Sequence, residues 1–291
     1  MRLCGRTQAL TDPTDAASWG LFDLRTLNWD ACAVEAAGLP CALLPEVRPC
    51  GSRAGALASE WAADLGLPAG LPVAVALGDN QASLLATLHE PERELAMTLG
   101  TGGQLSAILP AGTPVPWELL AATHEYRPFP GGRFAVVAAS LCGGAAWAWL
   151  PERIAHWARE LHIPCPAADE LFARLDELGL AAQDVLRVRP SFLGERHAGS
   201  LRGSIENLDL TNLTLGNLAR GLALGILANL KEMLPPSVLR NRARVVGSGN
   251  ALRRSRLLQA LVPQVFELPL TLTAGQEEAA VGAALNAANL A

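Results

Sequence analysis

The residues from Glu94 to Leu109 read ELAMTLGTGGQLSAIL. Two apolar runs, Glu94 to Leu99 and Gln104 to Leu109, flank the turn Gly100-Thr101-Gly102-Gly103. Apolar runs of this length bounded by glycines predict two strands joined as a hairpin. Glycines at such a turn leave backbone N–H groups free to face phosphate oxygens, and Thr101 adds a hydroxyl. The same four residues also suit an ordinary β-turn.

Upstream of the hairpin, Pro72 to Leu77 is a short valine-rich run that reads as a buried strand. It ends in Gly78-Asp79, and a helix follows over Gln81 to Leu88. Further back, Thr11 to Ser18 suits a helix start, and Ala31 to Ala37 is amphipathic and stops at Gly38-Leu39-Pro40. Leu43 to Pro49 reads as a loop and Ala54 to Leu65 as a helix. Downstream come a strand over Phe134 to Ser140 and helices over Gly144 to Leu161 and Ala167 to Gly179. Val185 to Phe192 is extended, and a long helix over Leu215 to Leu234 is closed by Pro235-Pro236. A strand over Ala243 to Val246, a strand over Pro269 to Thr273 and a helix over Glu277 to Leu290 complete the chain. A block of strands, then helices, then βα repeats predicts an α/β sheet covered by helices.

Composition narrows the function classes. The chain has 291 residues, half of them hydrophobic, and a net charge of −5. Such length buries a substantial core, and mild acidity without basic blocks argues against nucleic acid as a partner. Among 23 basic residues the single lysine is Lys231. It sits in a helical pattern with no glycine-rich loop before it, which rules out a Walker-type phosphate loop. The six cysteines show no CxxC spacing and no secretory signal precedes them, so reduced thiols in the cytoplasm are expected. Phe134 to Leu150 is uncharged for 17 residues but contains Ser140, Gly143 and Gly144. It is too short for the ~20 apolar residues of a membrane span.

Four motifs carry candidate chemistry. Gly78-Asp79-Asn80-Gln81 follows an apolar strand, where ligands collect in open α/β sheets. Asp79 there could be a general base or could cap the next helix. The hairpin turn is the second motif. The third, Gly247-Ser248-Gly249-Asn250, lies between a strand and a helix and could seat a nucleotide at the helix N-terminus. It lacks the last glycine of the dinucleotide fingerprint, since Leu252 stands there. The fourth, Gly194-Glu195-Arg196-His197, could be a charged site loop or a structural ion pair. Neither a zinc-ligand spacing nor a serine-hydrolase elbow is present.

In this order the motifs resemble the FGGY carbohydrate kinases. TDPTDAASWGLFDLRTLNW, from Thr11 to Trp29, looks like the segment near the end of that family's first domain. Gly78 to Gln81 resembles its catalytic aspartate motif and Leu99 to Gly102 its phosphate-contacting hairpin. Gly247 to Asn250 and Ala280 to Ala284 resemble the adenosine turn and C-terminal helix. AASWG at Ala16 to Gly20, VALGDNQAS at Val75 to Ser83, LGERH at Leu193 to His197 and GSGNAL at Gly247 to Leu252 are similar to the sedoheptulose-phosphorylating branch.

The resemblance implies an α/β, ribonuclease H-like lobe of the actin-like ATPase type. It implies a nucleotide domain over 89–291 and, over 1–88, the C-terminal remnant of a sugar domain. Asp79 would be the base and Asn80 a sugar contact. Gly100, Thr101 and Gly102 would hold the terminal phosphates, Gly143 would contact the nucleotide, and Gly247, Ser248, Gly249 and Asn250 would border the adenosine. ATP and Mg²⁺ would be used, with no protein metal-ligand set assigned. The partners implied are a sugar and ATP, without nucleic acid or membrane, and a homodimer is allowed. Xylulose, ribulose and glycerol are the alternative acceptors, and an inactive nucleotide-binding fragment is the alternative role. Met1 to Gly5 resembles the interior of a family helix, so a truncated product or a gene start set late is expected. Residues 1 to about 80 would then expose apolar surface.

Overall fold

The computed structural model describes residues 2–183, 186–275, 277–288 and 290. Met1, Val185 and Asn289, which fall in the segments read above, lie outside the described residues. The first part of the chain is built from short pieces: β1 (Leu10–Thr11), α1 (Pro13–Ala16), β2 (Phe22–Asp23), β3 (Asn28–Trp29) and α2 (Ala31–Ala36). After these come β4 (Glu46–Val47), β5 (Arg53–Ala56), α3 (Ser59–Leu65), β6 (Pro72–Ala74) and α4 (Asp79–Thr87). These strands make only two-stranded pairings among the described residues: β1 with β4, β2 with β3, and β5 with β6.

Caps account for the first two helices. Asp12 accepts from the Thr14 and Asp15 amides at the start of α1, and Asp30 from those of Cys32 and Ala33 at the start of α2. Three readings need correction. Glu46 and Val47 are a strand inside the expected loop, paired in parallel with Leu10 and Thr11. The helix expected over Ala54 to Leu65 begins only at Ser59, because residues 53–56 pair with 72–74. Gly55 disfavours helix there, and a Cβ on it would come within 2.8 Å of Cys4 Cβ. The buried strand expected over Pro72 to Leu77 is β6 alone. Its one partner is β5, and of these six residues only Val75 is buried.

From Glu94 onward the chain forms a six-stranded sheet. Its strands are β7 (Glu94–Leu99), β8 (Gly103–Ile108), β9 (Glu125–Phe129), β10 (Arg133–Ser140), β13 (Arg244–Ser248) and β14 (Leu270–Leu272). Their order is β14-β13-β7-β8-β10-β9. The β14, β13 and β7 strands run parallel, and the others pair antiparallel. The predicted hairpin is β7–β8, with Leu99 opposite Gly103. Its alternation is period two. Leu95, Met97, Leu99, Leu105 and Ala107 face one core, and Ala96 and Ile108 face the other. β9 escaped the sequence reading because Pro128 interrupts its pattern. Proline is tolerated on an edge strand, and β9 is the edge.

The helices cover both faces. They are α5 (Gly144–Glu160), α6 (Ala168–Ala181), α7 (Leu215–Met233), α8 (Pro236–Leu239), α9 (Asn250–Arg254), α10 (Arg256–Phe266) and α11 (Glu278–Ala288). α7 lays Leu222, Ile226, Leu227 and Leu230, all without exposed surface, against the first core. Each such side chain contributes about 1.5–3 kcal/mol by burial. The short ribbon of β11 (Arg187–Arg189) and β12 (Ser204–Glu206) crosses α7 at Gly221 and Gly225. A Cβ on either glycine would overlap the carbonyl of Leu186 or Val188. Leu84 and Leu88, of α4 and just beyond it, sit in the second core. α4 also packs on α11, where Gly282 lets the helices meet: a Cβ there would overlap the Ala82 carbonyl. Asn286 Nδ2 donates to the Val75 carbonyl (3.0 Å), so α11 also holds the chain just before α4.

At the far end of the sheet Glu94 is wholly buried. It accepts from the amides of His89 (2.8 Å) and Glu90 (3.1 Å) and from Arg244 Nε (2.6 Å), joining the starts of β7 and β13. Burial raises its pKa, but the hydrogen bonds from Glu90, Arg244 and His89 prevail and hold it below the ordinary carboxylate value. The stability it supplies is therefore complete above the unfolded value of about 4.3. It is lost as pH falls through the lower folded value.

Two outcomes follow for unfolding experiments. Gly225→Ala should destabilise by about 1–3 kcal/mol through overpacking. Gly275→Ala, with nothing within 4 Å of its would-be Cβ, should stay within about 0.5 kcal/mol. Equal denaturant midpoints for the two variants would contradict the packing account. Glu94→Gln should lower Tm at pH 7 and flatten the acid limb of Tm against pH below about 4.5. Parallel curves would show that Glu94 is not a linked group.

Candidate active site

Three glycine-bearing turns converge at one end of the sheet. The tip of the β7–β8 hairpin meets the turn from β10 into α5, and the turn from β13 into α9 closes from the third side. A Cβ on Gly143 would overlap the Gly102 backbone, one on Gly144 the Gly100 carbonyl, and one on Gly249 the Leu99 carbonyl. Gly249 also has φ +88°, where side chains are disfavoured. The first amides of α5 are donated to the hairpin: Gly144 N to Gly100 O (2.7 Å) and Ala145 N to Thr101 O (2.9 Å). Across the sheet the hydroxyls of Thr98 and Ser248 are 2.8 Å apart.

A cavity of about 700 Å³ opens beside this junction. That volume lies in the range of small-molecule sites. Gly100 and Thr101 form one wall, Gly144 and Trp147 of α5 another, Phe172 and Ala173 of α6 a third, and Gly249 to Ala251 a fourth. Asp176 keeps the α6 wall in place. It is buried and accepts from Ser255 Oγ and Arg256 N, both at 2.6 Å, at the start of α10. Arg254 bonds Asp169 at 2.7 Å across the mouth.

A second cavity, about 550 Å³ and mostly polar, lies on the other side of the hairpin. Asp79 and Asn80 head it from the start of α4. The cap of that helix is Gly78, not Asp79, and Asp79 is its first residue, exposed, with Oδ1 accepting from Asn80 N at 2.6 Å. Gly78 N donates to Thr14 Oγ1 (2.7 Å), which anchors α4 to α1. Gln104 of β8 donates to Asn80 Oδ1 (2.9 Å). Arg127 of β9 donates to Ser18 Oγ (2.9 Å) and pairs with Glu125. His124, with Nδ1 3.1 Å from the Met233 carbonyl, has its pKa lowered by burial despite that acceptor. Arg196 and His197 complete the wall.

Of the residues singled out in the sequence, Gly100, Thr101, Gly249 and Asn250 line the larger cavity, and Asp79 and Asn80 line the polar one. Gly102 and Gly143 meet each other behind the hairpin, and neither lines the larger cavity. Gly247 is buried beneath Leu252, Leu270 and Leu272. Ser248 faces a small recess shared with Asn80, Thr98 and Gln104. The α6 wall and the residues His124 and Arg127 carried no motif; they come to the site only through packing.

Comparison with known proteins fits this geometry. Residues 1–86 match the N-terminal domain of the FGGY family of carbohydrate kinases. Sedoheptulokinase of Mus musculus and that of Homo sapiens are each 34% identical over 97% of this chain, which spans 59% of each relative's length. A glycerol kinase of Thermus brockianus is 37% identical over 51% of the chain and 29% of its own length. The crystal structure of xylulose kinase from Rhodospirillum rubrum superposes with a TM-score of 0.83 at 26% identity, over 97% of this chain and 55% of that one. The fold is thus the ribonuclease H-like, actin-like one of the sugar kinases. Residues 1–86 thus carry the N-terminal domain of the FGGY family of carbohydrate kinases, and by sequence and fold nearly the whole chain is similar to kinases of that kind.

Proposed function

We propose that the protein transfers the γ-phosphoryl group of ATP to a primary hydroxyl of a sugar, with sedoheptulose as acceptor and sedoheptulose 7-phosphate as product. The observation that carries this reading is the position of one hairpin between two cavities. Its tip, Gly100 and Thr101, lines the larger, mostly apolar one, and Gln104, just past the tip, bonds Asn80 beside Asp79 in the polar one. A nucleotide in the first and a sugar in the second would meet across the hairpin. The choice of sedoheptulose rests on the likeness to the mouse and human sedoheptulokinases over nearly the whole chain.

In this reading, the adenosine lies between α6 and the Gly249–Asn250 turn. Amides of the hairpin turn, Gly100 to Gly102, hold the terminal phosphates, as backbone nests do. Gly143 serves indirectly, by letting α5 approach the hairpin. Asn80 orients the sugar. Asp79 takes the hydroxyl proton as that oxygen attacks phosphorus, and the bond from the γ-phosphorus to the β–γ bridging oxygen breaks to release ADP. No group of three or more His, Cys, Asp or Glu stands together among the described residues. A magnesium ion would be held mainly by the nucleotide phosphates and water, as is common. Such an ion would neutralise charge on the transferred group. Lys231 takes no part: its Nζ donates to the Val265 carbonyl at 2.6 Å.

The test uses the purified chain with ATP and Mg²⁺ and a panel of sedoheptulose, xylulose, ribulose and glycerol, with phosphate esters read by mass spectrometry. Sedoheptulose should be the preferred acceptor. Asp79→Asn should cut transfer by about 10²–10⁴-fold while leaving ADP affinity within about twofold. Ala173→Trp, which fills the larger cavity from α6, should abolish ADP binding without lowering Tm. Turnover retained in Asp79→Asn would remove Asp79 as the base. ADP binding without any ester would deny this chain the transfer step.

A further inference from the structure

Glu195 is only 2% exposed, yet no cation pairs with it among the described residues. Its charge is met by neutral donors instead. Ser140 Oγ (2.7 Å) and Asn229 Nδ2 (2.8 Å) donate to Oε1, and Leu141 N donates to Oε2 (3.2 Å). A buried carboxylate is costly unless so satisfied. These donors come from the end of β10, the turn into α5 and the middle of α7, so one carboxylate pins three elements. The pinned Ser140–Gly143 turn is the one that backs the hairpin.

What Glu195 holds in turn is a two-residue tip. Glu195 N donates to Ala198 O (3.1 Å) and Ala198 N to Glu195 O (3.0 Å), so Arg196 and His197 are the central residues of a closed turn. Gly194, at φ +77°, reverses the chain into it. Both tip side chains line the polar cavity that Asp79 heads. The other arginine there, Arg127, is paired with Glu125 and bonded to Ser18. Arg196 has no ionic partner and no hydrogen bond among the described residues. It is the unspent cation of a cavity that also carries the carboxylates of Asp15 and Asp79.

We propose that the Arg196–His197 tip is an anion-reading wall of the acceptor cavity that binds the phosphate of the phosphate-ester product, with Glu195 the positioning residue that fixes the tip. The inference rests on the kinase reading above, because a sugar alone would not need a free guanidinium. Arginine suits phosphate through its planar fork of donors. A neutral sugar gains little from it, so the tip favours the ester.

The test is calorimetric, on the full chain saturated with ADP. The probes are sedoheptulose 7-phosphate against sedoheptulose, and glycerol 3-phosphate against glycerol. The ester of at least one pair should bind at least tenfold tighter than its parent, with affinity falling as salt rises. Arg196→Gln should erase about tenfold of that preference and most of the salt dependence, and Arg196→Lys should restore part of it. Glu195→Gln, which turns one donor-accepting oxygen into a donor facing donors, should lower the ratio of ester to parent affinity and its salt dependence, both read at saturating ADP. Loss of all ligands together would make Glu195 merely structural and would overturn its role. An unchanged ester preference in Arg196→Gln, or no preference in the unmodified protein, would overturn the proposal while ADP binding left the nucleotide reading intact. Failure of ADP itself to bind would instead strike at the kinase reading.

Discussion

The site depends on backbone meeting backbone where three turns come together. The β7–β8 hairpin, the turn into α5 and the turn into α9 approach so closely that no side chain fits at Gly143, Gly144 or Gly249. Two of the helix's first amides are spent on the hairpin's carbonyls. The hairpin tip is therefore held from behind by hydrogen bonds and steric exclusion, not by side chains reaching over it. Its open side faces one cavity, and the strand that follows faces the other. In the proposed reading a chain with one lysine holds phosphates this way, with backbone amides in the place of a phosphate-loop lysine.

The rest of the molecule supplies what that junction needs. The core under α7 stiffens the sheet from one face, and α4 with α11 covers the other. The close crossing at Gly282 and Ala82, together with the Asn286 bond to the Val75 carbonyl, keeps the start of α4 in register with the sheet. Asp79 thus stands where α1, α4 and β8 meet. Thr14, Gly78, Asn80 and Gln104 tie those elements by hydrogen bonds of 2.7 and 2.9 Å. In residues 1–78 the strands stay in pairs among the described residues, and large apolar side chains such as Trp19, Leu43 and Leu65 are exposed.

Much of this was legible in the sequence where local pattern decides the outcome. The hairpin, β10, α5, α6 and α7 follow from apolar runs, periodicity and breakers. Sequence was least informative where partners are distant. β5 looked helical because pairing with residues 72–74 is invisible locally, and β9 was hidden by Pro128 at a sheet edge. Motif spacing also could not tell which glycine of Gly247-Ser-Gly249 faces a ligand. The structure turns Gly247 into the core and leaves Gly249 at the cavity. Glu195 looked like half of an ion pair with Arg196. Instead it points inward to Ser140 and Asn229, which lie 55 and 34 residues away along the chain.

The central claim is that the hairpin stands between a nucleotide cavity and an acceptor cavity. A crystal structure of the chain soaked with ADP tests it most directly. The account requires adenine between Phe172 and the Gly249–Asn250 turn, and a β-phosphate within about 3 Å of the Gly100–Gly102 amides. A nucleotide seated in the polar cavity beside Asp79, or one that leaves the hairpin amides untouched, would contradict it.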